Sequence, residues 1–348
     1  MCHAPAMAEL DSPVPLCDPT RPGRLNRDAV GWSRTPLHAC GIRGRWPRKK
    51  RWNYWAATNE THLFSMTVSN VDYLGLAFAY LVDFEAGTVT EATIPSLFGR
   101  GCPLPDFVGG DVVFDNGTVR LSMRHPGGSR EPGRVRLLAD WPGFGDSHLT
   151  ADLTVSYPVG HDTLNVVIPW SDKQFQFTGK HNTLPVTGRV TVGDETVAFG
   201  TPQSFATLDF GRGVWPAQSS WNWGSASGVS GGRVLGIQLG GKWTDGTGQT
   251  ENAVTVDGAL HKIDEDLVWD YDPSEWMRPW RISTPASPDV DVVFTPRIER
   301  VAITNAILLK SEVHQLFGTY AGTVLDAGGA SVGFDGLIGW AEEHHARW

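Results

Sequence analysis

Most of the signals that announce a function class are missing from this chain. Its four cysteines, Cys2, Cys17, Cys40 and Cys102, form no C-x-x-C pair and stand in no zinc-like arrangement with histidines, which removes structural zinc and dithiol redox chemistry. No window approaches the roughly 18 apolar residues of a membrane span. The opening Met1-Cys-His-Ala-Pro5 lacks the basic and apolar regions of a secretory leader. Free thiols without an export signal point to the cytosol. Positive charge is short, with 29 Lys and Arg against 38 Asp and Glu and a net charge of −9. A nucleic-acid partner is therefore not expected. The one basic run, Arg43 to Arg51, reads as a solvated entry to a strand. G-x-S-x-G, H-E-x-x-H and a G-x-G-x-x-G turn before a helix are all absent. The segment Gly236 to Lys242 matches the start of a phosphate-binding loop. Trp243 stands where Ser or Thr must hold Mg²⁺, and the segment alternates like a strand, so that reading fails. Neither a cofactor nor a metal is expected.

Tryptophan and glycine are abundant, with 15 Trp and 40 Gly. Each Trp brings a large apolar body and one N–H that needs an acceptor. Short alternating β-branched runs such as His62–Ser69, Tyr73–Val82 and Leu149–Tyr157 are separated by turn pairs such as Asn116-Gly117. A second series runs from about Phe205 to the end. The pattern predicts a mostly β chain of sandwiches or barrels with few helices. Short helical turns are expected only within Glu265–Trp280 and Ala341–Trp348. Residues 1–30, rich in proline, read as a loosely ordered arm. Residues 31–203 and 204–348 read as two β domains, with the boundary at Gly200–Ser204. Trp52-Asn-Tyr-Trp55 and Trp221-Asn-Trp223 each precede a strand series, which points to a duplicated unit.

The densest polar-aromatic stretch, Leu208 to Asn252, supplies the site candidates. Asp209, Glu251 and Asp245 are the candidate acids and bases, since burial raises a carboxyl into the range of a proton donor. Trp215, Trp221, Asn222, Trp223, Trp243 and Asn252 are candidate ligand-binding residues, together with His181 in a polar segment after Asn165–Trp170. Strand alternation puts Trp221 and Trp223 on one face and Asn222 on the other. The rings are expected to face an enclosed hollow.

Several segments carry a family resemblance. They are Gly31-Trp-Ser-Arg-Thr-Pro36, Arg48-Lys-Lys-Arg-Trp-Asn-Tyr-Trp55, Thr163-Leu-Asn-Val-Val-Ile-Pro-Trp170, Leu208-Asp-Phe-Gly-Arg-Gly-Val-Trp-Pro216 and Gly240-Gly-Lys-Trp-Thr-Asp-Gly-Thr-Gly248. Thr250-Glu-Asn252 and the ending Gly339-Trp-Ala-Glu-Glu-His-His-Ala-Arg-Trp348 complete the set. Over residues 24–348 they resemble the bacterial domain-of-unknown-function 2804 family. More distantly, Leu208-Asp-Phe-Gly211 followed by Trp221-Asn-Trp223 is similar to a signature of the carotenoid 1,2-hydratase and hydroxyneurosporene synthase group. That resemblance implies two tandem lipocalin-like (calycin) barrels. The group has Asp-His-Glu and Trp-Asp-Trp where this chain departs, with Asn222 in place of the second Asp.

Three functions stay open on the sequence. The first is a cofactor-free acid/base enzyme of the lyase, hydratase, isomerase or cyclase type acting on an apolar small molecule. The second is a non-catalytic carrier of a hydrophobic ligand. The third is a carbohydrate-active or carbohydrate-binding protein. Oligomeric state is not legible.

Overall fold

The computed structural model describes residues 7–126, 133–305 and 309–348. Among them the only helical element is a 3-10 turn at Arg27–Ala29, and antiparallel strands make up almost everything else. The chain forms two compact units, Leu10–Trp215 and Pro216–Trp348, with residues 7–9 grouped with the second. No helix among the described residues is long and apolar enough to cross a membrane.

In the first unit the 19-residue strand Gln174–Val192 belongs to two layers. Its first part pairs with Leu164–Ser171 and Phe205–Val214, its second with Ser147–Ser156 and Glu195–Phe199. The register breaks between His181 and Leu184, where Thr183 has a positive φ of 54°. One layer runs Thr88–Leu97, Leu74–Asp83, His62–Asn70, Lys49–Thr58, Phe205–Val214 and then Gln174–Val192. The other continues through Ser147–Ser156, Arg134–Phe144, Arg120–Arg124 and Val112–Asp115. Alternation builds the core between them: Val135, Leu137, Ala139 and Trp141 point in, while Arg134, Arg136 and Asp140 stay out. Trp55, Phe64 and Met66 close the core from the facing layer.

The second unit is one nine-stranded sheet. From one edge it runs Ala259–Ile263, Asn252–Val256, Arg233–Gly241, Gln218–Ser230 and Ser331–Arg347. It ends with Lys310–Leu325, Val290–Asn305, Trp280–Ser283 and Val268–Asp270. Its interior is filled by Ile237, Leu239, Trp280, Phe294, Tyr320 and Ala341 among others. The two units share a connectivity. In each, a four-strand meander starts at Lys49–Thr58 or Gln218–Ser230, and the unit's last strand returns to pair with the strand that began it. The chain is two tandem lipocalin-like antiparallel sheets, each curled into a barrel-like half.

Three sequence expectations change. The boundary lies at Trp215/Pro216 rather than at 203/204, because Phe205–Val214 is hydrogen-bonded between Lys49–Thr58 and Gln174–Val192. The proline-rich start is not a loose arm from Leu10 on. Leu16, Leu25 and Ala29 are fully buried, and Val14–Pro15 pairs in parallel with His38–Ala39. Prolines lack an N–H but leave their neighbours' donors free, and Leu10, Leu16 and Leu25 use theirs on Trp32, Ala39 and Asp172 carbonyls. Residues 1–6 lie outside the described set. Finally, the chain's end is strand, since Ser331–Arg347 stays in register with two neighbours, and Glu265–Trp280 holds loops and the edge strand Val268–Asp270.

Candidate functional site

Gln218–Ser230 decides which side chains enter the second barrel. Ala226 joins the interior core, and a Cβ on Gly224 would stand 2.4 Å from the Tyr320 hydroxyl. Asn222, two residues earlier, shares that inward face. Across the ladder Asn222 pairs with Glu343 and Gly241. Near this end of the strand lies a cleft of about 490 Å³, within the range of roughly 300–1,000 Å³ common for small-ligand sites. One wall is apolar and aromatic: Leu267, Trp269, Tyr271 and Pro273. The other is polar: Asn222, Lys242, Asp245 and Glu343.

The polar wall is tightly connected. Lys242 has a φ of 68°, in the left-handed region. Its backbone N–H donates to Asp245 Oδ1 at 2.8 Å. Its ammonium donates to Glu343 Oε2 at 2.5 Å and to the Tyr271 hydroxyl at 2.8 Å. Glu343 Oε1 lies 2.6 Å from His345 Nε2. The Tyr271 ring stacks on Trp280 at 3.9 Å between centroids. Asn222 Nδ2 donates to the Tyr271 hydroxyl at 3.1 Å and to the Glu342 carbonyl at 3.2 Å. Asn222 Oδ1 is buried and accepts no hydrogen bond among the described residues. Such an orphan costs about 1–3 kcal/mol and marks a place to seek a function. Burial, then the charge of Asp266, raises the Asp245 carboxyl, against the pull of Lys242.

A non-glycine residue in the left-handed region is strained by roughly 1–2 kcal/mol, and glycine is not. Lys242→Gly is therefore expected to be more stable than Lys242→Ala by about 1 kcal/mol, the reverse of the usual order within strands and helices. Urea midpoints of the two variants measure it. Equal midpoints would mean that the loop relaxes and stores no strain.

The sequence candidates fall in several places. Asn222 and Asp245 line the cleft. Trp221 and Trp223 do share one face opposite Asn222, but it is the face away from the cleft. Trp221 stacks 4.0 Å from His344 and donates to Glu342, and Trp223 donates to Gln238 and packs edge-on to Trp340. The expected hollow lined by these rings is corrected for a simple reason. Alternation pairs residues by face without saying which face is inside, and the interior at Gly224 has no room for an indole. Trp243 donates to Glu251 Oε1 at 2.7 Å. Asn252 accepts from the Gly240 N–H at 2.7 Å and donates to the Glu265 carbonyl. These three residues tie down the loop after Gly241 and do not line the cleft. Nearby, burial lowers the Lys262 ammonium to about 7 against the attraction of Asp264 and Glu251.

Asp209, His181 and Trp215 belong to the first unit. Asp209 is ion-paired with Lys180 at 3.0 Å and accepts from Thr178 Oγ1 at 3.3 Å. Trp215 donates to Gln176 Oε1 at 2.7 Å. His181 is fully buried, with Nδ1 2.9 Å from the Tyr157 hydroxyl and Nε2 3.1 Å from Asn165 Oδ1. Asn165 Nδ2 donates to Ser33 and Thr163, so its Oδ1 is the acceptor and His181 carries its proton on Nε2. Burial first, then His161 and His125, push this imidazole down to about 3.

Sequence reasoning missed Leu267, Trp269, Tyr271, Pro273 and Glu343, and left Lys242 without a role. Alternation held a signal for Glu343: it sits two residues after Ala341, opposite in face to Trp340 and Glu342. Nothing in the sequence marks Tyr271, which reaches the cleft from a loop.

No curated protein matches the chain in sequence. Among solved structures, CghA with Sch210972 is similar with a TM-score of 0.53 and 13% identity, covering 86% of this chain and 89% of that one. Kievitone hydratase from Nectria haematococca is similar with a TM-score of 0.52 and 10% identity, covering 85% and 88%. At these identities the likeness is one of fold, and it embraces both units. A match to a family profile extends over residues 7–348, and the chain belongs to that family, described as domain of unknown function (DUF2804).

Proposed function

We propose that this protein is an enzyme of the acid/base type, a lyase, hydratase, isomerase or cyclase. Its substrate is an apolar small molecule held in the cleft of the Pro216–Trp348 barrel. The observation that carries this reading is Lys242, kept in a strained backbone conformation so that its ammonium meets both Glu343 and Tyr271 beside an aromatic wall. Strain of this kind persists where surrounding structure over-determines it, and such residues cluster at working sites. The buried Asn222 oxygen supports it, as does a cleft with one apolar side and few convergent polar groups. The fold is shared with a protein named a hydratase and with one solved with a small molecule, which agrees with the reading.

Untargeted mass spectrometry of an apolar metabolite extract, incubated with wild type and with Lys242→Gly, tests the proposal. At least one compound is expected to change with wild type alone, by the mass of water or by retention time at constant mass. A compound retained by both proteins and changed by neither makes the protein a carrier, the reading that the aromatic wall favours next. Neither change nor retention would remove the cleft as a working site.

A further inference from the structure

Tyr271 holds a proton that no described side chain accepts. A phenolic oxygen accepts and also donates. Here it accepts twice, from Asn222 Nδ2 at 3.1 Å and from Lys242 Nζ at 2.8 Å. No described residue is bonded to its remaining O–H. The ring cannot easily turn to find one. It lies 3.9 Å from Trp280 at an interplanar angle of 10°, with Trp276 stacked near it at 5.9 Å. Both accepted bonds come from groups fixed elsewhere: Lys242 is anchored on Glu343, and Asn222 on the Glu342 carbonyl. An ammonium bonded to the phenol oxygen draws electron density from it and strengthens its O–H as a donor. Leu267 and Trp269 add apolar lining to the same cleft.

Resting on the cleft as the working site, we infer that Tyr271 donates its hydroxyl hydrogen to a carbonyl oxygen of the substrate. The substrate class is then an apolar, ring-bearing ketone or enone. Lys242 and Asn222 are positioning residues that leave the phenol one free direction. A donor aimed in advance at such an oxygen stabilises negative charge as it develops there.

A matched pair of probes tests this directly. 2-Acetylnaphthalene carries a carbonyl, and 2-isopropenylnaphthalene has the same outline with a CH₂ in place of the oxygen. Titration calorimetry with the full chain is expected to show the ketone binding about tenfold more tightly than the hydrocarbon. In Tyr271→Phe, which keeps the stack on Trp280, the two should bind alike. The infrared band of the bound ketone's carbonyl should move to lower frequency in wild type. It should move back in Lys242→Met and down again in Lys242→Arg, a response that loss of packing alone would not give. Equal affinities in wild type, or an unshifted band there, would overturn the donor role while leaving the cleft as the site. A preference that survives in Tyr271→Phe would assign the donor to another residue and also overturn it. Failure of both probes to bind would instead remove the cleft itself.

Discussion

Between pH 6.5 and pH 4 the protein is expected to unfold, and the Leu10–Trp215 unit should go first. The cause is a set of histidines buried without charge. Burial pushes His38 and His125 down to about 4 and His181 down to about 3, and it lowers His161 as well. All four lie in the first unit, whereas the second has His344, pushed down to about 3. In the unfolded chain each imidazole takes a proton near 6.5. Above that pH both states are neutral and stability is intact. Below it the unfolded chain binds protons that the fold refuses, so stability falls until the pH reaches the folded values. At pH 4 each of His38, His125 and His181 removes about 3 kcal/mol, and together about 9 kcal/mol. A whole domain is typically stable by roughly 5–15 kcal/mol. Far-ultraviolet circular dichroism against pH should show the transition. His125 offers the variant check, since burial outweighs the pull of Asp111 and of the Gly110 backbone on its ring. His125→Leu should move the midpoint to lower pH. A fold unchanged down to pH 4 would mean that these rings reach water.

What the sequence revealed, and what it withheld, follows from the range of each interaction. The β architecture was legible because alternation and turn pairs act over two to four residues. The duplicated opening at Trp52 and Trp221 pointed to a real correspondence, since both begin a meander that the unit's last strand closes. The unit boundary was misplaced because the sequence around Pro202 looks like a linker, while Phe205–Val214 earns its place only by pairing with strands far off in the chain. The site was half legible for the same reason. Asn222 and Asp245 came from a local cluster, and these two of its candidates line the cleft while the others do not. Tyr271, Glu343 and Trp269 join it from 49, 121 and 47 residues beyond Asn222, separations at which no local pattern operates. The indoles misled because tryptophan serves two purposes. A buried Trp needs an acceptor for its N–H, and Glu342, Gln238 and Glu251 supply acceptors away from the cleft.

Removing Lys180 is expected to be among the costliest single changes in the first unit. Lys180 and Asp209 face each other on adjacent strands in direct register. Their side chains are only 5% and 11% exposed, and the ammonium lies 3.0 Å from the carboxylate. At that burial, each charge is tolerated because of the other. Lys180→Met leaves the Asp209 carboxylate beside the Thr178 hydroxyl alone among its named partners. Breaking a buried pair from one side costs about 3–5 kcal/mol. The double variant Lys180→Met/Asp209→Leu removes both desolvation penalties and replaces them with apolar contact, so it should regain most of that loss. The coupling between the two sites, read from urea denaturation of the four proteins in the cycle, should therefore be large and favourable to the pair. A coupling near zero would show the two charges to be solvated. The same double variant also separates support from chemistry at Asp209. Turnover lost in a refolded double variant counts against the cleft of the Pro216–Trp348 unit as the working site. Turnover kept leaves the pair as a strut between Gln174–Val192 and Phe205–Val214, the role its paired and buried geometry already fulfils.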